Sequence, residues 1–327
     1  MQEPAVIMAF LFEEGVGEAD GRSMVMRITN NMLINNMMLS YTNNLSQTQK
    51  YQSQLATGHK ISVPSDDPIV ASKSLKLRTD VAEITQYRRN TDDATSWMDI
   101  TEATMSQITD VVQRMREITV EGANGTNTPS DLAKISAEAK ELRTQLIQLG
   151  NTTYAGRYIF SGYKTDKPLL DNDGNFVNNI DNAEEIKFEI GIGDDINVNV
   201  PGSDLFNDGV NGIAGSRSAF VDTFDQIVTA MDSDDKTSLS NLLANLDGDM
   251  DNLLKVRAGL GARANRVELT SNRLDDDNVN FTKLMSTNED VDIAEAIMNL
   301  QNEMNVYQAS LSTGAMVIQK SLVDYLR

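Results

Sequence analysis

The sequence predicts a mainly α protein, an elongated rod of long antiparallel coiled-coil helices, with paired N- and C-terminal helices and a small inserted β-rich domain. Three observations predict it. Apolar residues recur at alternating steps of three and four over several long stretches, which keeps one stripe of a helix against a partner. One Gly/Asn/Asp-rich segment breaks that rhythm with short alternating runs, as strands do. Finally, two runs near the ends of the chain, Ile28 to Gln49 and Met304 to Gln319, carry no charge in a sequence that is 23% charged.

Composition narrows the function classes. At 327 residues and 40% hydrophobic, the chain can bury a large core without cofactor or disulfide. It has no cysteine, which removes disulfides, thiolate metal sites and cysteine nucleophiles. A net charge of −20 argues against nucleic acid and anionic membrane surfaces as partners. No apolar run approaches the roughly 20 residues of a membrane span. The longest near the start, Ala5 to Phe12, follows Glu3 and precedes Glu13 and Glu14, so it does not read as a cleaved signal peptide.

Taken in order, residues 1–25 hold Gly15, Gly17 and Gly21 without a sustained period and read as an extension. Helical text begins at Met26, which we expect to be the biological start. Between Pro68 and Glu121 the stripe Met98, Thr101, Met105, Ile108, Val112 and Met115 lies on a helix starting near Ile69 and about 70–80 Å long. A second helix carries Leu132, Ile135, Ala139, Leu142, Leu146 and Leu149, with Pro129 in its first turn and Gly150-Asn151 as its stop. From about Phe160 to Ser216 the runs EIKFEIGI and INVNV read as strands, and Asp173-Gly174 as a hairpin turn.

Downstream, Leu239, Leu242, Leu246, Leu253, Val256, Leu260, Val267, Leu274, Phe281 and Leu284 share one stripe, interrupted by Asp249, Arg263, Thr270 and Asp277. A last stripe runs Ile293, Ile297, Leu300, Met304, Tyr307, Leu311, Gly314, Ile318, Ser321 and Tyr325.

The charge-free runs are rich in Asn, Gln, Ser and Thr as well as Leu, Ile and Met, so they suit neither a membrane nor a solvated face. They are suited to being surrounded by protein, and a monomer cannot surround both of its own ends. The N-terminal arm holds Arg27, Lys50 and Lys60 and no acid, whereas the C-terminal arm opens with Glu289, Asp290, Asp292 and Glu295. Antiparallel pairing would complement these charges, each exposed pair contributing up to about 1 kcal/mol. By helical face, the expected assembly residues are Ile28, Met32, Leu33, Met38, Leu45 and Leu55 on the first arm. On the second they are Met304, Tyr307, Leu311, Ile318, Leu322 and Tyr325.

Chemical motifs are weak. Gly259 to Ala264 matches the dinucleotide pattern, but a helical heptad runs up to it where a strand is needed, so we read a helix junction or bend. Asp247, Asp249 and Asp251 have calcium-loop spacing but lack the glycine and the final glutamate, and Asp171, Asp173 and Asn175 fail similarly. The only histidine, His59, reads as an exposed turn residue, and no catalytic constellation stands out. We expect no enzyme, no cofactor, no metal and no small-molecule substrate.

LATGHKISVPSDDP at 55–68, GARANRVELTSN at 261–272 and DVDIAEAIMNL at 290–300 resemble landmarks of the bacterial flagellin superfamily, in the family's order. GRYIFSGYKTDKPLL at 156–170 and the end YQASLSTGAMVIQKSLVDYLR are more similar to its hook-associated members than to filament subunits. The resemblance covers about Met26 to Phe160 and Ser216 to Arg327. It implies a terminal helical assembly domain of 26–65 and 286–327, a helical rod of 66–160 and 216–285, and an outer β-rich domain of 161–215. It also implies an extracellular structural adaptor between hook and filament, exported without a cleaved signal peptide. The implied partners are copies of itself, the first hook-associated protein, flagellin, and an export chaperone near the C-terminal helix. Filament flagellin and, from another class, a cytoplasmic coiled-coil scaffold are the rival readings.

Overall fold

The computed structural model describes residues 30–124 and 127–318. The leader, Arg27, Ile28, Ser321, Leu322 and Tyr325 lie outside the described residues. In chain order the elements are α1 (Asn30–Thr57), α2 (Pro68–Ala123), α3 (Pro129–Gly150), β1 (Thr153–Tyr154), β2 (Arg157–Tyr158), β3 (Lys187–Gly191), β4 (Asp194–Asn197), α4 (Gly202–Phe206), α5 (Ala219–Asp232), α6 (Lys236–Glu289) and α7 (Ile293–Ile318). Two compact units result, one of residues 1–62 with 291–327, the other of Val63–Asp290.

The Val63–Asp290 unit is built on α2 and α6, of 56 and 54 residues. At 1.5 Å per residue each extends about 80 Å. Their starts follow local chemistry: the Asp67 carboxylate accepts from the backbone N–H of Ile69 and Val70, with Pro68 in the first turn, and Asp235 accepts from Ser238. Thr128 and Pro129 open α3 in the same way, and Asn151 caps its end.

The predicted stripes form the core. Met98, Thr101, Met105, Ile108, Val112 and Met115 are all buried on α2. They pack with Leu239, Leu242, Leu246, Leu253, Leu260 and Val267 of α6 in one apolar cluster. Near the C-terminal end of α6 the stripe shifts: Leu284 is exposed, while Met285 and Asn288 are half-buried and Glu289 is buried. The cause is a polar anchor, in which the Arg78 guanidinium donates twice to the Glu289 carboxylate at 2.7 and 2.6 Å and Ser74 donates to it at 2.5 Å.

Polar gaps in the α6 stripe have separate explanations. Arg263 is half-buried and donates to the carbonyls of Asn197 and Asn199, while Arg266 pairs with Asp194. Two arginines of the GARANR segment therefore hold the β region onto α6. Gly259 and Gly261 lie inside the continuous helix with open space around them, so no helix junction falls there and neither glycine serves a close packing contact.

The segment between α3 and α5 is less β-rich than its alternation suggests. Strand β3 pairs antiparallel with β4, β1 with β2, and three isolated bridges include Leu170 with Phe176 around the Asp173-Gly174 turn. Side chains do the work of a ladder elsewhere: Asn199 accepts from the Ile186 N–H and donates to the Glu184 carbonyl. Phe160, Phe176, Val198 and Phe206 from this segment enter the same core as the helices. His59, expected to be exposed, is half-buried.

Asp249 is the one acid of the α6 stripe enclosed in the core, 8% exposed. Burial pushes its carboxyl up to about 7, and nearby Asp208 adds to the rise. An unfolded aspartate releases its proton near about pH 4, so the folded unit loses stability as the pH climbs from there through about 7. Asp249→Asn is therefore expected to raise thermal stability at about pH 8 by an amount on the order of a few kcal/mol, and by much less at about pH 5. Thermal melts of both chains at the two pH values measure this.

Candidate assembly interface

The other unit pairs α1 with α7 antiparallel. Tyr41 and Tyr307 share a hydrogen bond between hydroxyls at 2.8 Å, with ring centroids 5.2 Å apart. Asn44 donates to the Ser310 hydroxyl at 3.0 Å, and the Val291 N–H donates to the Gly58 carbonyl at 2.9 Å. On α1 the covered residues Ile34, Met37, Tyr41, Asn44, Thr48, Tyr51 and Leu55 follow an alternation of three and four, while Ser53 and the buried Gln54 bond to Ser62 and to the Lys60 carbonyl in the turn beyond the helix. On α7 the covered residues are Ala296, Leu300, Glu303, Tyr307, Ser310 and Gly314. A side chain at Gly314 would meet the Met37 thioether, so glycine allows the two helices their close approach there.

This seam is mostly polar or small. Among the described residues of the unit, Ala296 is the one fully buried hydrophobic side chain, at 2% exposure. The apolar row alongside it on α7, Ile297, Met304 and Leu311, is exposed. So are Met32, Leu33, Met38, Leu39 and Leu45 on α1. The packed seam on α7 is rotated by one residue from the predicted stripe: it keeps Leu300, Tyr307 and Gly314 and replaces Ile297, Met304 and Leu311 with Ala296, Glu303 and Ser310.

Of the twelve assembly residues expected from sequence, Met32, Leu33, Met38, Leu45, Met304 and Leu311 are exposed. Leu55 and Tyr307 instead occupy the seam between α1 and α7. Ile318 ends α7, and Ile28, Leu322 and Tyr325 are outside the described residues. Sequence reasoning placed Gly314 on the α7 stripe but missed Met37, Asn44 and Ser310, which set the helix pairing with it. The three-four spacing of the covered rows was the available signal, hidden because most of the residues on them are polar or small.

The exposed rows offer apolar surface for burial. Among the described residues no group of three or more His, Asp or Glu could hold a metal, and no helix is long and apolar enough to cross a membrane. Helices with little apolar burial are marginal unless something else covers them.

Residues 28–165 match the N-terminal helical region of bacterial flagellin, and residues 243–326 match its C-terminal helical region. The flagellar hook-associated protein 3 of Escherichia coli strain K12 is 30% identical over 303 residues, spanning 87% of this chain and 95% of its own length. This chain belongs to the bacterial flagellin family. It is a flagellin-like structural protein of the flagellum, similar to the hook-associated members. A flagellar junction protein from Legionella pneumophila shares the fold, with a TM-score of 0.53 at 16% identity over 68% of this chain and all of that one. So does a Vibrio parahaemolyticus protein classed among the flagellar hook-associated proteins, at a TM-score of 0.60 and 21% identity over 69% of this chain and all of that one.

In the isolated chain, amides of α1 and α7 are expected to exchange with solvent orders of magnitude faster than those of α2 from 97 to 119 and α6 from 239 to 267, because opening the α1–α7 pair exposes little new apolar surface. Hydrogen exchange read by mass spectrometry checks this, and comparable protection in both units would contradict it.

Proposed function

We propose that the chain is a structural adaptor joining the flagellar hook to the filament, polymerising with its neighbours through the α1–α7 pair. The observation that carries the assembly reading is the uncovered apolar row beside a polar seam. Exposed Met, Leu and Ile side chains on a charge-free surface each gain about 1.5–3 kcal/mol when a neighbour buries them, and uncharged Asn, Gln, Ser and Thr between them add hydrogen bonds without the cost of desolvating an ion. The adaptor position is supported by the likeness to hook-associated protein 3 over nearly that protein's full length.

On this reading Met32, Leu33, Met38, Leu45, Met304 and Leu311 face neighbouring subunits, and Ile28, Ile318, Leu322 and Tyr325 are further contact positions. Leu55 and Tyr307 act within each subunit by fixing the pair. The neighbours are copies of the chain, the first hook-associated protein on the hook side and flagellin on the filament side. The protein travels to the flagellum through its export apparatus without a cleaved signal peptide, with a chaperone near the C-terminal helix. Residues 26–65 and 286–327 form the assembly domain, 66–160 and 216–285 the rod, and 161–215 the outward segment. Arms that gain stability only from neighbours suit a chain that passes a narrow channel before it assembles.

An epitope inserted at the exposed turn Ile192-Gly193 is expected to give a discrete immunogold band between hook and filament. Label along the whole filament would make the chain a filament flagellin, and label confined to the cytoplasm would remove the export reading. Met304→Asp with Leu311→Asp is expected to abolish the band while shifting the unfolding of the Val63–Asp290 unit by less than about 0.5 kcal/mol.

A further inference from the structure

Between α2 and the β segment lies a cavity of about 440 Å³ that the assembly reading leaves unused. Its walls are aromatic: Trp97 from α2, Tyr154 from β1, Tyr163 from the loop after β2 and Phe188 from β3, with Asp93 and Arg157 among its charged lining groups. The volume falls within the range of about 300–1,000 Å³ usual for small-ligand sites.

The polar groups here lack partners. Trp97 is 7% exposed, and its indole N–H is shielded from solvent and finds no acceptor among the described residues. A buried donor left unpaired costs about 1–3 kcal/mol, and such groups call for an explanation. The exposed Asp93 carboxylate, Arg157 guanidinium and Tyr163 hydroxyl and the half-buried Tyr154 hydroxyl make no hydrogen bond or ion pair within the described residues, so they face the cavity mouth with only solvent to displace. Most other arginines of this unit are paired with acids.

Local backbone geometry assembles the site. Tyr154 and Arg157 are direct cross-strand partners, so their side chains leave the hairpin on one face. The two turn residues between them, Ala155 and Gly156, have φ of 48° and 77°. An alanine in that region is strained by about 1–2 kcal/mol, yet the tight turn it completes is what sets the tyrosine beside the arginine. Tyr154 in turn meets Trp97 edge to face, with ring centroids 5.9 Å apart.

We propose that this cavity binds a neutral carbohydrate, a hexopyranose unit or short oligosaccharide. The C–H face of a pyranose carries partial positive charge and stacks on the negative faces of aromatic rings. Its hydroxyls both donate and accept, so one ring can donate to Asp93 while accepting from Arg157, and Trp97 backs the cavity wall. A cationic ligand would meet the guanidinium, and an anionic one the carboxylate. A neutral, hydroxyl-rich ring satisfies both charges.

The test uses the fact that Trp97 is the only tryptophan in the chain, so intrinsic emission reports on the cavity directly. The full-length protein is titrated with maltose, cellobiose and N,N′-diacetylchitobiose, and with a neutral hydrophobic tetrapeptide as the competing class. A saturable shift or quench with at least one saccharide is expected, lost in Tyr163→Ala with Asp93→Ala. Both positions are solvent-exposed, so circular dichroism and the melting temperature should stay at wild-type values. No emission change with any saccharide into the high millimolar range would overturn the proposal, as would a response to the tetrapeptide alone. A saccharide response that persists unchanged in the double variant would place binding elsewhere and overturn it as well.

Discussion

Helices of more than fifty residues cannot enclose their own apolar faces, and the pairing of α2 with α6 is the contact on which the rest of the larger unit depends. Each supplies a stripe at alternating steps of three and four, and neither stripe would stay dry without the other. The shorter helices α3 and α5 and the aromatic side chains of the β segment are packed onto that seam in a continuous core. The arginines at 263 and 266 then fasten the β segment along α6.

The contrast with the terminal pair is chemical. In the larger unit the seam is dominated by Leu, Met, Val and Ile, with buried polar residues such as Thr101, Asp249, Thr270 and Glu289 set among them. Between α1 and α7 the same geometric repeat is filled mostly by Tyr, Asn, Thr, Ser, Glu, Ala and Gly, with Ile34, Met37, Leu55 and Leu300 as its larger apolar members. Hydrogen bonds such as those of Tyr41 and Asn44 contribute roughly 0.5–1.5 kcal/mol each, enough to choose a register but not enough to replace a buried core. The pair thus specifies which faces point outward while leaving apolar side chains exposed on them. That division between a self-sufficient unit and a dependent one is what the proposed role at a junction requires.

Much of the architecture was legible in the sequence because a long heptad repeat is a local, periodic signal. The stripes at 98–115, 132–149 and 239–274 all proved to be buried or half-buried faces, and Pro129, Asn151 and the Asp173-Gly174 turn lie where their backbone chemistry put them. The β segment was less legible, since its turns close through Asn and Asp side chains whose partners are distant in sequence. The exposed half of the terminal surface could be read from the absence of charge, but Leu55 and Tyr307 could not be told from their outward neighbours.

By itself, then, the sequence determined the helical class, the pairing of two long helices and the need of the termini for company, because each follows from periodicity or from composition that no solvated monomer face would carry. Only the tertiary structure decided which row of α7 packs on α1, that Asp249 is enclosed, and that Trp97, Tyr154, Tyr163 and Phe188 line one cavity. Those outcomes depend on the rotation of one helix against another and on contacts between distant segments, quantities for which a one-residue difference along the chain reverses the face and no local pattern supplies the phase.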